Sequence, residues 1–321
     1  MASIAELKKD FVKTLNGISY SRQPSNVFSD WLEMAAIALH QLPYRSGDFA
    51  PDTAFEQLEE KYLQIEQRYS QEERNALGKM LGITTLAHRT AFGDFLGEIA
   101  SDQELLNQHA GQFFTPYNIC RMMAKMTLSN AHELVEEKGL ITFQEPAAGG
   151  GALVIACAEE LLSQKIDPRS CAQFDCIDVS RNAFNMCYIQ MSLYELQAVV
   201  RHGNTLSMDM WESRPTPQIR YFDQWLKQQR QTARLEALKG LMMNPATFEA
   251  EPDMLRNPAN DDEESAIAPE TQDEPVQTSL LDMDTFGLSA PKAKQSRRSA
   301  DIELPADRQL GLFDLQNEAE G

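Results

Sequence analysis

Residues 141–156 read ITFQEPAAGGGALVIA, and this stretch decides the fold. The β-branched and aromatic run Ile141, Thr142, Phe143 predicts a short strand. An acid, Glu145, follows it, then a proline, three consecutive glycines and a helix-forming apolar run. Glycine permits positive φ angles and close backbone approach, and a helix starting behind such a turn points free N–H groups back at it. That is the layout of a nucleotide-type pocket at the carboxyl end of a parallel strand. A tight strand-to-helix turn without a ligand has the same local signature, so the flanking sequence must separate the two.

Downstream the pattern repeats. A helix over 152–164 carries Leu153, Ile155, Ala156, Leu161 and Leu162 and ends before Asp167 and Pro168. Residues 173–179, QFDCIDV, predict a second strand whose last acid is Asp178. A carboxylate there, at βαβ distance from a glycine turn, can accept hydrogen bonds from both hydroxyls of a ribose; elsewhere it would be an ordinary exposed acid. Another helix over 182–196 and a strand-like AVVR at 198–201 lead into His202, Gly203, Asn204, Thr205 and Leu206. Asn204 is placed either to hydrogen-bond a purine or amine, or simply to form a turn. Strands alternating with helices at this spacing imply an α/β sheet of parallel strands.

Upstream, residues 111–116 read GQFFTP. Thr115 suits a helix cap and Pro116 the first position of a helix over 117–128, in which Ile119, Met122, Met123 and Met126 share a face. The adjacent rings Phe113 and Phe114 either anchor that helix in the core or wall a pocket. Residues 1–110 alternate helical patterns with polar breaks: Leu7, Phe11 and Leu15 recur at four, and an apolar run over 31–39 follows the cap candidates Ser29 and Asp30. Phe55, Leu58, Tyr62 and Ile65 keep the helical period. This predicts a helical N-terminal subdomain that serves as a packing layer.

The chain has 321 residues and a net charge of −19, with 29 Lys plus Arg against 48 Asp plus Glu, which excludes a generic polyanion binder by composition. The acidity concentrates in the tail: residues 246–321 hold 18 acids and 6 bases. Cys120, Cys157, Cys171, Cys176 and Cys187 form no CxxC pair and no zinc-like spacing, so they read as buried free thiols of a reducing cytosol, with no metal expected. The N-terminus lacks an apolar signal core, and no long apolar run exists, so a cytoplasmic protein without a membrane span is expected.

Four motifs now line up in order. The segment from Asp94 to Leu206 resembles the adenine-specific DNA methyltransferases found as modification subunits of type I restriction systems. GQFFTP resembles the family motif that lines the methionine end of S-adenosylmethionine. QEPAAGGGAL resembles its Asp-Pro-Ala-x-Gly-x-Gly turn, with Glu145 where Asp is usual. Asp178 matches the ribose-binding acid, and GNTL at 203–206 resembles a Gly-Asp-Thr-Leu motif that contacts the adenine. The resemblance implies a Rossmann-like S-adenosylmethionine-dependent methyltransferase fold. It further implies a cofactor held by Phe113, Phe114, Thr115, Pro116, Glu145, Gly149, Gly151, Asp178 and Asn204, and DNA as substrate. Such enzymes act on a flipped base held by an Asn/Asp-Pro-Pro-aromatic loop at the end of the next strand. Here GNTL is followed by SMDMWESRPTPQIRYFDQWL, which offers neither a hydrophobic strand nor that loop, and the fold is expected to be incomplete. The nearest imitation is Asn244, Pro245, Ala246, Thr247, Phe248, without a second proline. The catalytic residues are therefore unassigned.

Three segments result: helices over 1–110, a cofactor-binding domain over 111–245 and a tail over 246–321. Residues 218–239 predict a basic helix; from Arg214 to Lys239 the bases Arg214, Arg220, Lys227, Arg230, Arg234 and Lys239 stand against Asp223 and Glu236, with a partial apolar face of Ile219, Phe222, Leu226 and Leu238. The tail is too polar to bury a core and reads as a disordered acidic segment. Within it Gln309, Leu310, Gly311, Leu312 and Phe313 resemble the pentapeptide by which bacterial replication and repair proteins dock on the sliding clamp; QTSLL at 277–281 is a looser match. Two functions follow: a DNA adenine methyltransferase, or a catalytically inactive binding or regulatory module brought to DNA by a clamp or partner subunit. A partner subunit could also supply target recognition and the missing loop.

Overall fold

The computed structural model describes residues 2–18, 22–105 and 114–243. The N-terminal part is helical where the apolar period predicted it. Helix α1 (Ile4–Ile18) buries Leu7, Phe11, Leu15 and Ile18, and the Phe11 ring meets Phe28, Trp31 and Phe95 edge-on. Helix α2 (Pro24–Arg45) starts before the expected caps Ser29 and Asp30. Pro24 already supplies a fixed helical φ with no N–H to satisfy. Ser29 instead donates to Asn182 Oδ1 at 2.8 Å, and Asp30 accepts from Arg68 and Tyr69. Asp52 caps α3 (Thr53–Glu66), and Ser70 with Glu73 forms a reciprocal capping box on α4 (Gln71–Thr90). Asp94 caps α5 (Phe95–Asp102) through Gly97 N–H.

Helix α6 (Tyr117–Thr127) differs from expectation in two ways. Pro116 is its cap residue rather than its first helical one, and the Thr115 side chain makes no cap bond. The methionine face points outward, with Ile119, Met122 and Met126 exposed; α6 buries the small Cys120 and Ala124 instead, which let it approach the helix over 152–163 closely. A short α7 (Ala131–Lys138) ends on Gly139 in the left-handed conformation.

The sheet follows. Strand β1 (Ile141–Glu145) leads through the glycine turn to α8 (Ala152–Ser163). After α9 (Pro168–Cys171) come β2 (Ala172–Asp178), α10 (Arg181–Leu193) and β3 (Gln197–Asn204). These strands are parallel, with Phe143 opposite Phe174 and Phe174 opposite Ala198. A fourth strand, β4 (Asp209–Pro215), runs antiparallel along β3, giving the order β1-β2-β3-β4. No hydrophobic strand is expected after GNTL, and the strand that does follow is a polar one. The segment DMWESRP lacks an apolar run because its inner positions are Glu212 and Arg214, which bury through ion pairs rather than through hydrocarbon.

Those pairs tie the helical layer to the sheet. Glu33 of α2 accepts from Arg181 Nε at 2.7 Å and Asn185 Nδ2 at 2.9 Å on α10, and pairs with Lys61 at 2.9 Å. Arg181 also pairs with Glu212, which holds Arg214 at 2.5 Å. Burial alone would raise the Glu33 carboxyl, but the Arg181, Asn185 and Lys61 contacts outweigh it and hold the group well below the usual range.

Helix α11 (Pro217–Met243) covers the expected helix, but two bases of the stretch from Arg214 onward are engaged with the rest of the fold. Arg214 lies on β4, 1% exposed, and Arg220 stacks over Tyr44 and Phe49 and donates to the His40 carbonyl. Of the described residues, one compact unit takes in those up to Leu226 and a second those from Lys227. All five cysteines are buried free thiols. Among the described residues no helix is long and apolar enough to cross a membrane, and no His/Cys/Asp/Glu group could hold a metal. Asn244 to Phe248, QTSLL and the pentapeptide Gln309, Leu310, Gly311, Leu312, Phe313 lie outside the described residues, as does Phe113.

Candidate cofactor site

The site forms where β1, β2 and β3 end on one side of the sheet. Glu145, the last residue of β1, is buried; its Oε1 accepts from Ala147 N–H at 3.2 Å, and its Oε2 has no protein partner among the described residues. Burial raises this carboxyl above its ordinary range, and the charge of nearby Asp178 adds to the rise.

The glycine turn needs its residue type at two positions. Gly149 sits at φ +55° and Gly151 at φ +94°, where a side chain is strained. A Cβ on Gly149 would stand 3.1 Å from the Phe114 ring; one on Gly151 would press Met191 and Cys187 of α10. The first contact places Phe114 directly on the turn, and its ring also packs on the core.

Asp178 closes the site from β2. Its Oδ2 accepts from Gly149 N–H and its Oδ1 from Ser180 N–H, each at 2.8 Å. Each carboxylate oxygen can accept a second bond, so the acid grips the turn and still presents acceptors to a diol. From β3, the Thr205 hydroxyl donates to Pro146 O at 2.7 Å and seats the GNTL loop against the turn. Asn204 lies there too, but its Oδ1 accepts from Leu206 N–H at 3.0 Å and from Ser207 N–H at 3.4 Å, an Asx turn that leaves only its NH2 for a ligand. Thr115 and Pro116 are exposed beside Phe114, and Thr115 O accepts a weak bond from Cys120. Glu145, Gly149, Gly151, Asp178, Asn204 and Phe114 thus converge on one place.

Sequence reading missed the support behind the turn. Asp94 Oδ1 and Gly150 O both accept from Gln190 Nε2 at 2.7 Å, and Gln190 Oε1 accepts from Leu96 N–H. This buried bridge fixes the glycine turn to α5 and α10. Its signal is Gln190 in the largely apolar run MCYIQM at 186–191, an amide that has to find partners when buried. The arrangement fits a nucleoside-containing ligand: an orphan buried carboxylate oxygen, a turn too tight for side chains, and an acid with free acceptor capacity. S-adenosylmethionine, the expected cofactor, meets all three.

Residues 90–233 match the family model described as N-6 DNA Methylase. Among solved structures, a type I restriction-modification methyltransferase subunit from Streptococcus thermophilus aligns at 11% identity and TM-score 0.35 over 66% of this chain and 60% of that one. A class I S-adenosylmethionine-dependent methyltransferase from Listeria monocytogenes aligns at 14% identity and TM-score 0.30, over 63% of this chain and 54% of that one. The chain therefore spans less than two thirds of the length of either. No curated protein matches it.

Proposed function

We propose, on the premise that residues 90–233 belong to the N-6 DNA methylase family, that this protein binds S-adenosylmethionine and serves DNA adenine methylation. The observation that carries the reading is the convergence of Glu145, the Gly149 to Gly151 turn, Phe114 and Asp178 at the carboxyl ends of parallel strands. When bound there, S-adenosylmethionine supplies an activated methyl group. Asp178 would hold the ribose, Phe114 and the glycine backbone would border the cofactor, and Glu145 Oε2 would accept from it. Burial keeps Glu145 an expensive charge, best relieved by a donor.

A second reading has its own observation. The sequence contains no two consecutive prolines, so no Asn/Asp-Pro-Pro-aromatic loop is present to hold a flipped base. The protein would then be a cofactor-binding or regulatory module, or would rely on a partner subunit for that loop, with the 309–313 pentapeptide as a tether to a sliding clamp.

Calorimetric titration with S-adenosylmethionine tests the shared premise. Asp178→Ala should weaken binding at least about tenfold, the loss of about 1.4 kcal/mol, and unchanged affinity would remove the pocket assignment. Transfer of labelled methyl to mixed-sequence DNA supports the enzyme, whereas binding without transfer leaves the module. Deletion of 309–313 should abolish retention on immobilised clamp; retention unaffected by the deletion ends the tether.

A further inference from the structure

Within residues 147–151 every backbone N–H but one is committed. Ala147 N–H goes to Glu145 Oε1, Ala148 N–H to Ile177 O at 2.9 Å, Gly149 N–H to Asp178 Oδ2 and Gly151 N–H to Ala148 O at 2.8 Å. Gly150 N–H has no partner among the described residues, so it is the amide this turn can offer a ligand. It belongs to the peptide joining Gly149 to Gly150, two residues with the widest backbone freedom. The direction of that N–H is therefore set by whatever pins the peptides on either side.

On the N-terminal side the pin is Asp178, through Gly149 N–H. On the C-terminal side the next peptide is held at both ends. The bond from Gly151 N–H to Ala148 O lies inside the turn and moves with it. The bond from Gln190 Nε2 to Gly150 O, at 2.7 Å, is the one that refers this peptide to the rest of the fold.

Gln190 is itself fixed in place. It is fully buried, its other N–H goes to Asp94 Oδ1 at 2.7 Å, and its Oε1 accepts from Leu96 N–H at 3.2 Å. Asp94 Oδ1 also takes Gly97 N–H at 3.0 Å. A Cβ on Gly150 would stand 3.3 Å from Asp94 Oδ1 and 3.6 Å from Gln190 Nε2, so the bridge lies directly against the turn. Behind it α5 is anchored to α1, by the Phe95 ring edge-on to Phe11 and by the Lys8 and Glu98 ion pair. Hydrocarbon alone could join α5 to α10 without the cost of burying an amide. Two N–H bonds, one to a carboxylate and one to a turn carbonyl, fix an angle as well, and hydrocarbon cannot do that.

Resting on the cofactor reading above, we infer that Gln190 is a positioning residue for S-adenosylmethionine: by holding Gly150 O it sets the direction in which the turn offers the Gly150 N–H, apart from its share in stability. The helical layer, through α5 and Asp94, is the frame against which that direction is fixed.

The test pairs calorimetric titration of the full chain with S-adenosylmethionine and thermal unfolding without ligand. Gln190→Leu removes both donors and strands the Asp94 carboxylate, so binding should weaken at least about tenfold and the unfolding temperature should fall. Adding Asp94→Asn removes the stranded charge and should return much of the unfolding temperature. Affinity should stay low in this double variant, because nothing holds Gly150 O. Phe95→Leu loosens α5 through a side chain outside the bridge; it should lower the unfolding temperature and keep affinity within about twofold of the parent. Affinity that recovers with the unfolding temperature in the double variant, or that falls as far in Phe95→Leu, overturns the inference. If Gln190→Leu does not fold, these two variants carry the test. A parent that binds while Gln190→Leu binds equally well removes this inference alone, whereas a parent that binds no S-adenosylmethionine removes the cofactor reading and the inference with it.

Discussion

Gly149 carries two constraints at once, a left-handed backbone and a ring against its α-carbon. Gly149→Ala should cost about 1–2 kcal/mol from the backbone alone, with any ring clash added. Denaturant unfolding can separate the two: adding Phe114→Leu should recover only the steric share. Complete recovery would mean that the φ angle carries no strain. Asp178 shows the same economy, since the oxygens that fasten the turn are also those the proposed ribose contact would use. Asn204 shows the reverse. Its oxygen is consumed by the turn, so of the two roles open from sequence, turn formation is the one occupied here.

Among the elements, β4 depends on charge. Arg214 is fully buried against Glu212, with Glu33 at 3.7 Å and the Phe184 and Tyr188 rings beneath its guanidinium. Glu212 keeps Arg181 when Arg214 is removed, so Arg214→Met should cost less than the about 3–5 kcal/mol of a fully stranded buried charge. The double change with Glu212→Gln should cost less than Arg214→Met alone; an equal or larger loss would show that packing, not charge, dominates. The same chemistry explains what was legible. Strands β1 to β3 and their glycine turn announce themselves through β-branched runs and Gly spacing, and α1 through its period. β4 hides because its inner face is Glu and Arg. α2 was placed late because Ser29 and Asp30 look like caps while Pro24 does the starting. The Asp94, Gln190 and Gly150 bridge spans 96 residues of sequence, and no local pattern encodes such a meeting.

Over the whole molecule, pH acts through groups that burial has displaced. His40 is lowered to about 3 by burial and then by Arg214 and Arg220, and His88 to about 4 by burial. Below the unfolded value near 6.5, the unfolded chain takes up protons that the folded one refuses. Each histidine therefore removes about 1.4 kcal/mol of stability per pH unit as pH falls from there toward its folded value. Asp94 and Glu145 are raised by burial and act in the opposite sense: the strain of their charge fades as pH falls through their folded values. The histidine share is isolated by difference. Unfolding free energies of the parent and His40→Gln between pH 7 and 5 should diverge in slope, with the parent losing stability faster on acidification; parallel curves would show that His40 accepts a proton when folded. Glu33, held low, enters only at more acid pH, its contribution being present above about 4.5 and lost below.

The strand order β1-β2-β3-β4 is also the order of synthesis. Each strand finds its partner already made, and among the described residues no gap in the sheet waits for a later segment. A ribosome delivering the chain from its N-terminus can therefore extend the sheet one strand at a time. The helical layer, which must receive α10 against α2, is complete before the first strand appears. Because Gly149 and Asp178 arrive only 29 residues apart, the hydrogen bond between them can close before β3 has emerged.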